Sequence, residues 1–193
     1  MPQSFQRARA LIDQVHAKDP EHVAGRPAEA VYAERLEAWI RRLVEAPSEV
    51  LLIAARCQHL ERWTVPRTQF PPDKAGYLRW RRSVHVRQGD RARDLMTEAG
   101  CDWAEATRVG SLVAKNVPMN DADAQALEDA ACLVFLAHEL DAFVARHPEY
   151  SRDKWLDILR KTWAKMSEAA RAQALGLELP PAYRDLLKAA IGG

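Results

Sequence analysis

The chain has 193 residues, of which 48% are hydrophobic and 28% are charged, and its formal net charge is +1. This length and composition are typical of one globular domain and exclude a disordered chain. The near-zero net charge argues against nucleic acid and membrane surfaces as partners. Arginine provides 21 of the 28 cationic residues, and its planar fork suits carboxylates and phosphates better than lysine does.

The three cysteines, Cys57, Cys101 and Cys132, are far apart and have no metal-binding spacing. This pattern is typical of reduced thiols rather than of a disulfide framework or a zinc site. No stretch reaches the roughly 20 apolar residues that span a bilayer, and the N-terminus has no signal-peptide pattern. We therefore expect a cytoplasmic protein without a membrane partner.

Helical periodicity dominates, and no stretch alternates convincingly with period two. It predicts an all-α, compact single-domain bundle of about eight to nine helices. The core is expected at about 4–146 and a C-terminal helical cap at about 151–193. The first three predicted helices run from a cap at Ser4 to near Asp19, from about Pro27 through Leu43, and, after a cap at Ser48, from Glu49 to about Glu61. The next three run from about Tyr77 to Ala99, from near Asp102 to before Pro118, and from a cap at Asn120 or Asp121 through Ala137. The last three cover about 151–165, 167–175 and 181–190.

One long irregular stretch, Thr64 to Gly76, separates the third and fourth predicted helices. It contains Pro66, Pro71 and Pro72, a density that excludes a helix and stiffens the loop. Arginines and aromatic residues alternate within and beside this loop. Guanidinium groups and aromatic rings together suit a phosphate or carboxylate attached to a planar group, such as a nucleotide. A solvated basic face explains the same residues equally well.

Two helices that are apolar on all sides carry polar groups at one end. The third passes from Val50–Ala55 into the run that contains His59, and the sixth enters its apolar centre through Gln125, Glu128 and Asp129. Helical spacing would place His59 below Ala55, so that His59 and a carboxylate meet in one pocket. The alternative is a purely structural hydrogen-bonded pair of His59 and Asp129.

These observations give a set of candidate site residues. The catalytic candidates are His59, Asp129 and Glu128, and the residues that would form a divalent-metal site are His59, His85 and Asp129. The expected ligand-binding residues are Gln58, Arg62, Trp63, Arg67, Tyr77, Trp80, Arg81 and Lys115. The cofactor is left open: a His/carboxylate set of this kind suits a divalent metal, but we favour binding of an anion by the arginines without metal.

Several specific stretches resemble an uncharacterised bacterial and fungal family, domain of unknown function 4202, over nearly the whole chain. They are Ala55–Trp63, Pro66-Arg67, Gly76–Arg81 and Leu127–Leu136. This resemblance implies a family without implying an activity.

A more distant similarity is to the HD-domain metal-dependent phosphohydrolases, which are helical bundles. Ala54–His59 and Glu128–Ala131 are placed like the two metal-binding helices of that family. The resemblance implies an HD-like core and phosphohydrolase chemistry. However, Gln58-His59 stands where the family has His-Asp, and Lys115 stands where another histidine is common.

The sequence leads to three functional hypotheses. The first is binding, with or without hydrolysis, of a phosphorylated or nucleotide-like small molecule by the 56–85 segment and the 125–132 helix. The second is a non-catalytic anion-sensing or protein-interaction module. The third is an RNA- or tRNA-associated protein, against which the near-neutral charge counts. The oligomeric state is left open.

Overall fold

The structure is a computed structural model that describes residues 2–192, and most of them are helical. The predicted all-α class is confirmed, and the strand content of this range is one two-stranded antiparallel ribbon. In chain order the elements are α1 (Gln3–His16), β1 (His22–Val23), β2 (Arg26–Pro27), α2 (Ala28–Leu43), α3 (Glu49–Arg56), 3-10 turns at Arg62–Thr64 and Arg67–Gln69, α4 (Lys74–Glu98), α5 (Trp103–Val113), α6 (Ala122–Val134), a π-helical turn at Phe135–Glu139, α7 (Leu140–Arg146), α8 (Arg152–Lys165), α9 (Glu168–Leu175) and α10 (Pro181–Ile191).

Side-chain caps begin many of these helices. The predicted cap Ser48 accepts a hydrogen bond from the Leu51 amide, and Asp121 accepts one from the amide of Ala124. Both satisfy amide groups that have no partner inside the helix. The predicted cap at Ser4 is wrong, because Ser4 lies inside α1 and Pro2 occupies the cap position.

The third helix is shorter than predicted: α3 ends at Arg56 and not near Glu61. The following residues form successive tight turns, with positive φ angles of 61° at His59 and 52° at Glu61. Non-glycine residues seldom adopt this left-handed conformation, and it cannot continue a helix. His59 therefore does not lie one helical turn below Ala55.

The proline-containing loop is irregular as predicted, apart from its two 3-10 turns. The fourth helix starts earlier than expected, at Lys74, because the Asp73 side chain accepts a hydrogen bond from the Gly76 amide. Gly76 is buried, and a Cβ there would lie 2.1 Å from the Pro71 carbonyl oxygen. Only glycine allows the loop to fold back this closely on the helix.

The chain divides into two compact units after Ala124. In the first unit α4 packs along α5, α3 packs on α2 and α5, and α1 packs on α3 and α4. Its core combines apolar residues from all five helices, including Ile12, Leu36, Ile40, Leu51, Leu52, Ile53, Leu95, Met96 and Leu112. The expectation of a single domain with a C-terminal cap stays a prediction.

The second unit contains most of α6 and the helices that follow it. Within it α8 packs on α10, and the Phe143 ring makes edge contacts with Phe135, His147 and Trp155. The three C-terminal helices predicted for about 151–165, 167–175 and 181–190 are confirmed.

Helices α4 and α5 approach each other closely at two glycines. A Cβ on Gly89 would lie 2.5 Å from the Gly110 carbonyl oxygen, and one on Gly110 would lie 2.9 Å from the Gly89 oxygen. Neither helix could carry a larger residue there without separating from the other. This contact forms the floor of the cleft described below.

Within residues 2–192, no helix has both the length and the apolar character needed to cross a bilayer.

Candidate functional site

A buried ion-pair network in the first unit involves the arginine that ends α3. Arg56 donates to Asp13 at 2.5 Å and to Glu37 at 3.0 Å, while Arg9 binds both oxygens of Glu37 at 2.7 Å. Although burial opposes ionisation, the bonds and charges of these arginines lower the pKa of Glu37. Such paired and buried charges connect α1, α2 and α3, so Arg56 has a structural role.

His59 follows α3 in the strained turn and is held by α2. Its ring stacks on Tyr32 with a centroid distance of 4.2 Å and an interplanar angle of 7°. Its Nδ1 lies 3.1 Å from Oε2 of Glu29, and its Nε2 lies 3.0 Å from Nη1 of Arg62. These contacts hold the imidazole in one orientation.

The contacts of His59 also indicate its tautomer. A carboxylate can only accept, so Nδ1 carries the proton that it donates to Oε2 of Glu29. Arg62 lies beside the ring, because its Nη1 is 3.0 Å from Nε2 and also 3.5 Å from Nδ1. The result is a carboxylate–imidazole pair with a cation next to the imidazole.

Aromatic residues of α4 support the other side of Arg62. The Arg62 guanidinium lies 5.3 Å from the ring centroid of Trp80, and the Trp80 indole donates to the Val65 carbonyl at 2.8 Å. Tyr77 is 43% exposed and makes a tilted contact with Trp80. Arg67, expected to bind ligand, donates instead to the carbonyls of Phe70 and Pro71 and so stabilises the loop.

A cleft of about 670 Å³ lies along α4 and α5 and contains the strongest concentration of positive charge that we identify in the first unit. Among its described lining residues Asp90 is the one carboxylate, and Asp90 already accepts a hydrogen bond from Arg93 at 2.9 Å. The lining consists of Leu78, Arg81, Arg82, His85, Val86, Gly89, Asp90, Arg93, Gly110, Ser111, Ala114, Lys115 and Asn116. We call it the basic cleft.

The pKa of His85 reflects the electrostatics of the basic cleft. Burial, together with the positive charges of Lys115, Arg81 and Arg62, lowers its pKa from 6.5 to about 4. The ring is therefore neutral near pH 7, and the charges around it disfavour another cation. A bound anion would find complementary charge on several sides.

A second cleft of about 670 Å³ shares Arg82, Val86 and Asp90 of α4 with the basic cleft. Its lining has four arginines but also three carboxylates, and Glu61 is paired with Arg91 at 3.4 Å. It is lined by Glu61, Arg79, Arg82, Ser83, Val86, Arg87, Asp90, Arg91 and Asp94. Because its charges are nearly balanced, it suits an anion less well than the basic cleft does.

The two carboxylates predicted from α6 have partners within the second unit. Asp129 accepts from the Ser167 amide at 2.8 Å, from the Ser167 hydroxyl at 2.6 Å and from Gln125 at 3.0 Å. Glu128 forms an ion pair with Lys165 at 3.1 Å. The contacts described for His59 all lie in the first unit, so the convergence of His59 and Asp129 stays a prediction.

The remaining predicted residues have varied surroundings. The Gln58 side chain donates to the Ala54 carbonyl at 3.1 Å. Trp63 is partly buried in the 3-10 turn Arg62–Thr64. In the part of the chain that the structure describes, no group of three or more His, Cys, Asp or Glu side chains is arranged to hold a metal ion. The metal site predicted at His59, His85 and Asp129 stays a prediction.

Sequence reasoning missed several residues of this region. Glu29 and Tyr32 lie about 30 positions before His59, and nothing in their local pattern links them to it. Ser111 and Asn116 line the basic cleft without belonging to a recognisable motif. The sequence signal that points to the basic cleft is the four-residue spacing of Arg81 and His85, which puts both on one face of α4.

Comparisons with known proteins identify a family and no activity. No curated protein matches the chain. No solved structure matches it either. The model of a family described as "Domain of unknown function (DUF4202)" matches residues 6–187, which is nearly the whole sequence. The chain therefore belongs to the DUF4202 family.

Proposed function

We propose that this protein binds a phosphorylated or nucleotide-like small molecule in the basic cleft. The observation that carries the proposal is the concentration of Arg81, Arg82 and Lys115 around a cleft whose one described carboxylate is already bonded to Arg93. Guanidinium forks bind phosphate oxygens in pairs, and the partly enclosed setting strengthens each charge-assisted bond.

The shape of the cleft supports a small ligand rather than a polymer. A volume of about 670 Å³ lies within the range of small-molecule sites. The lining includes Leu78 and Val86, both about half exposed, beside the cations. An apolar or ring-bearing group can rest there while its phosphate contacts Arg81 and Lys115.

We further propose that the chain is a distant HD-like protein whose metal doublet has been lost. Gln58 makes a helix-end hydrogen bond to Ala54, and His59 is turned toward Glu29 and Arg62. Both residues therefore have contacts other than a metal ion. This supports anion binding through arginine in place of metal-assisted binding.

A cytoplasmic location completes the proposal. Cys57 and Cys101 form no disulfide, and burial raises the pKa of Cys57 to about 12. A thiol held in its protonated form resists oxidation, and cysteines outside disulfides are typical of a reducing compartment.

Calorimetric titration with inorganic phosphate, pyrophosphate and AMP at low salt tests the binding proposal. We expect Arg81→Gln to weaken binding by about tenfold or more, because one charge-assisted contact is lost. Arg81→Lys is also expected to weaken it, because the charge remains but the planar fork does not.

Arg152→Gln is the matched control, since Arg152 is an exposed arginine in the first turn of α8 and should not affect binding. Equal weakening by Arg81→Gln and Arg152→Gln would indicate a non-specific charge effect and contradict the proposal. Absence of binding by all three anions would contradict it as well.

A further inference from the structure

Glu29, His59 and Arg62 form an arrangement that binding alone does not require. Glu29 accepts the Nδ1 proton of His59, which leaves the lone pair of the imidazole on Nε2. An imidazole oriented by a carboxylate on one nitrogen is the usual construction of a general base on the other.

The backbone supports a functional reading of this arrangement. His59 and Glu61 both adopt left-handed conformations, at φ 61° and 52°, which are costly for residues with a side chain. The stack on Tyr32 and the bond to Glu29 hold the histidine in this conformation. Strain maintained at a polar, half-buried group is characteristic of functional sites.

Arg62 connects the pair to the basic cleft. Its charge is among those that lower the pKa of His85, a lining residue of that cleft. The guanidinium contacts both the face of Trp80 and the ring of His59. An anion in the cleft offers Arg62 a stronger acceptor than a neutral imidazole nitrogen does.

We propose that Glu29 and His59 form a general-base dyad that hydrolyses a phosphate monoester bound in the basic cleft. This proposal rests on the proposed function, because the dyad needs a phosphate held beside it. His59 is the catalytic residue and Glu29 is a positioning residue. Arg62, which lies beside the imidazole, contacts the phosphate oxygens when the ligand binds.

The reaction balances without a further reactant. The oxygen of a water molecule forms a new bond to phosphorus while His59 Nε2 takes one of the water protons. The ester P–O bond breaks, and its electron pair leaves on the alcohol oxygen, which takes a proton from solvent. His59 then returns its proton to solvent, and the products are inorganic phosphate and the free alcohol. Glu29 stabilises the transient imidazolium, and Arg62 stabilises the charge on the phosphoryl oxygens.

Hydrolysis of p-nitrophenyl phosphate by the full chain, followed through p-nitrophenolate absorbance, tests the dyad. His59→Asn is the informative variant, because asparagine tolerates the left-handed backbone that His59 adopts. We expect it to lower kcat by about 100-fold or more. Phosphate affinity, measured by calorimetry, should stay within about threefold of the unsubstituted protein, since binding depends mainly on the arginines.

Glu29→Gln separates positioning from a merely structural role. Glutamine still accepts the Nδ1 proton but has no charge to stabilise the imidazolium, so kcat should fall by about tenfold. The acid limb of the kcat–pH profile should also move to lower pH, which a general loss of stability would not cause. The groups that face the imidazole are Glu29 and Tyr32 from α2 and Arg62 from the following turn, with His85 of α4 near it.

Glu34→Gln is the control on the same helix, where Glu34 is paired with Arg26 at the surface, and it should leave kcat unchanged. If the unsubstituted protein binds phosphate but releases no p-nitrophenolate, the dyad proposal fails and the binding proposal survives. If it does not bind phosphate, both fail. Should His59→Asn not fold, an unshifted pH profile for Glu29→Gln would overturn the dyad by itself.

Discussion

His85 combines burial with surrounding positive charge in a way that makes folding sensitive to pH. Its pKa is about 4 in the folded chain, against an ordinary value of 6.5. Between these values an unfolded chain binds a proton on this residue and the folded chain does not. Stability is therefore present above about pH 6.5 and decreases as the pH falls toward 4.

The first prediction concerns the loss of stability at low pH. The free energy of unfolding, measured by urea denaturation at pH 7 and pH 4.5, should fall less in His85→Gln than in the unsubstituted protein. We expect the difference to be about 1 kcal/mol, since partial exposure of the ring reduces the effect. His16, whose pKa is also lowered by burial, remains in the variant and accounts for the remaining loss of unfolding free energy at low pH. Equal losses in the two proteins would contradict the assignment of this pH dependence to His85.

Individual residues also show where sequence reasoning was incomplete. The pattern singled out Arg62, Trp80 and Arg81 as ligand-binding candidates; Arg62 contacts Trp80 and Arg81 lines the basic cleft, and their binding role stays a prediction. It also singled out Arg67, which is engaged by loop carbonyls. Residue type and spacing indicate which side chains are cationic, but only folding decides which of them have partners within the chain.

At the scale of elements, α4 and α5 define the basic cleft because two glycines let them touch. The second prediction is that Gly89→Ala destabilises the protein by about 1–3 kcal/mol, since the new Cβ would lie 2.5 Å from a backbone oxygen of α5. The phosphate affinity of Gly89→Ala should also fall, because α4 and α5 must separate at the floor of the basic cleft.

The control for this prediction is Gly176→Ala, at the end of α9. A Cβ there would meet its nearest neighbour at 3.5 Å, which is an ordinary contact, and φ is negative. Thermal melting should place this variant within about 0.5 kcal/mol of the unsubstituted protein. A Gly89→Ala variant with equally unchanged stability would show that the helices can separate freely.

Helix ends were predicted well where a local cap exists and badly where distant residues decide. Ser48 and Asp121 cap helices as expected, because capping involves residues three positions apart. The end of α3 was missed, because residues 57–63 contain neither glycine nor proline to signal a stop. The chain leaves the helix there through the bonds of His59 to Glu29 and of Glu61 to Arg91, each about 30 residues away.

At the scale of the whole molecule, Asp129 distinguishes the basic cleft from the site that the sequence predicted. Asp129→Ala should lower the melting temperature, because the Ser167 amide and hydroxyl lose their acceptor, at a cost of about 1–3 kcal/mol. If the site lies entirely in the first unit, phosphate affinity should not change. Asp185→Ala, at an exposed position of α10, is the control for both measurements.

The opposite outcome would be equally informative. A large loss of phosphate affinity in Asp129→Ala, with Asp185→Ala unaffected, would contradict a site confined to α4 and α5. It would instead support the sequence-based hypothesis that Asp129 acts together with His59.

The sequence by itself determined the helical class, most helix starts, the three C-terminal helices and the family of this protein. Periodicity, caps and motifs are short-range properties, so they can be read without coordinates. Only the tertiary structure decided that His59 pairs with Glu29, that Arg67 stabilises a loop, and that Arg81, His85 and Lys115 share one cleft. The physical reason is that each depends on contacts between residues distant in sequence, for which local pattern carries no signal.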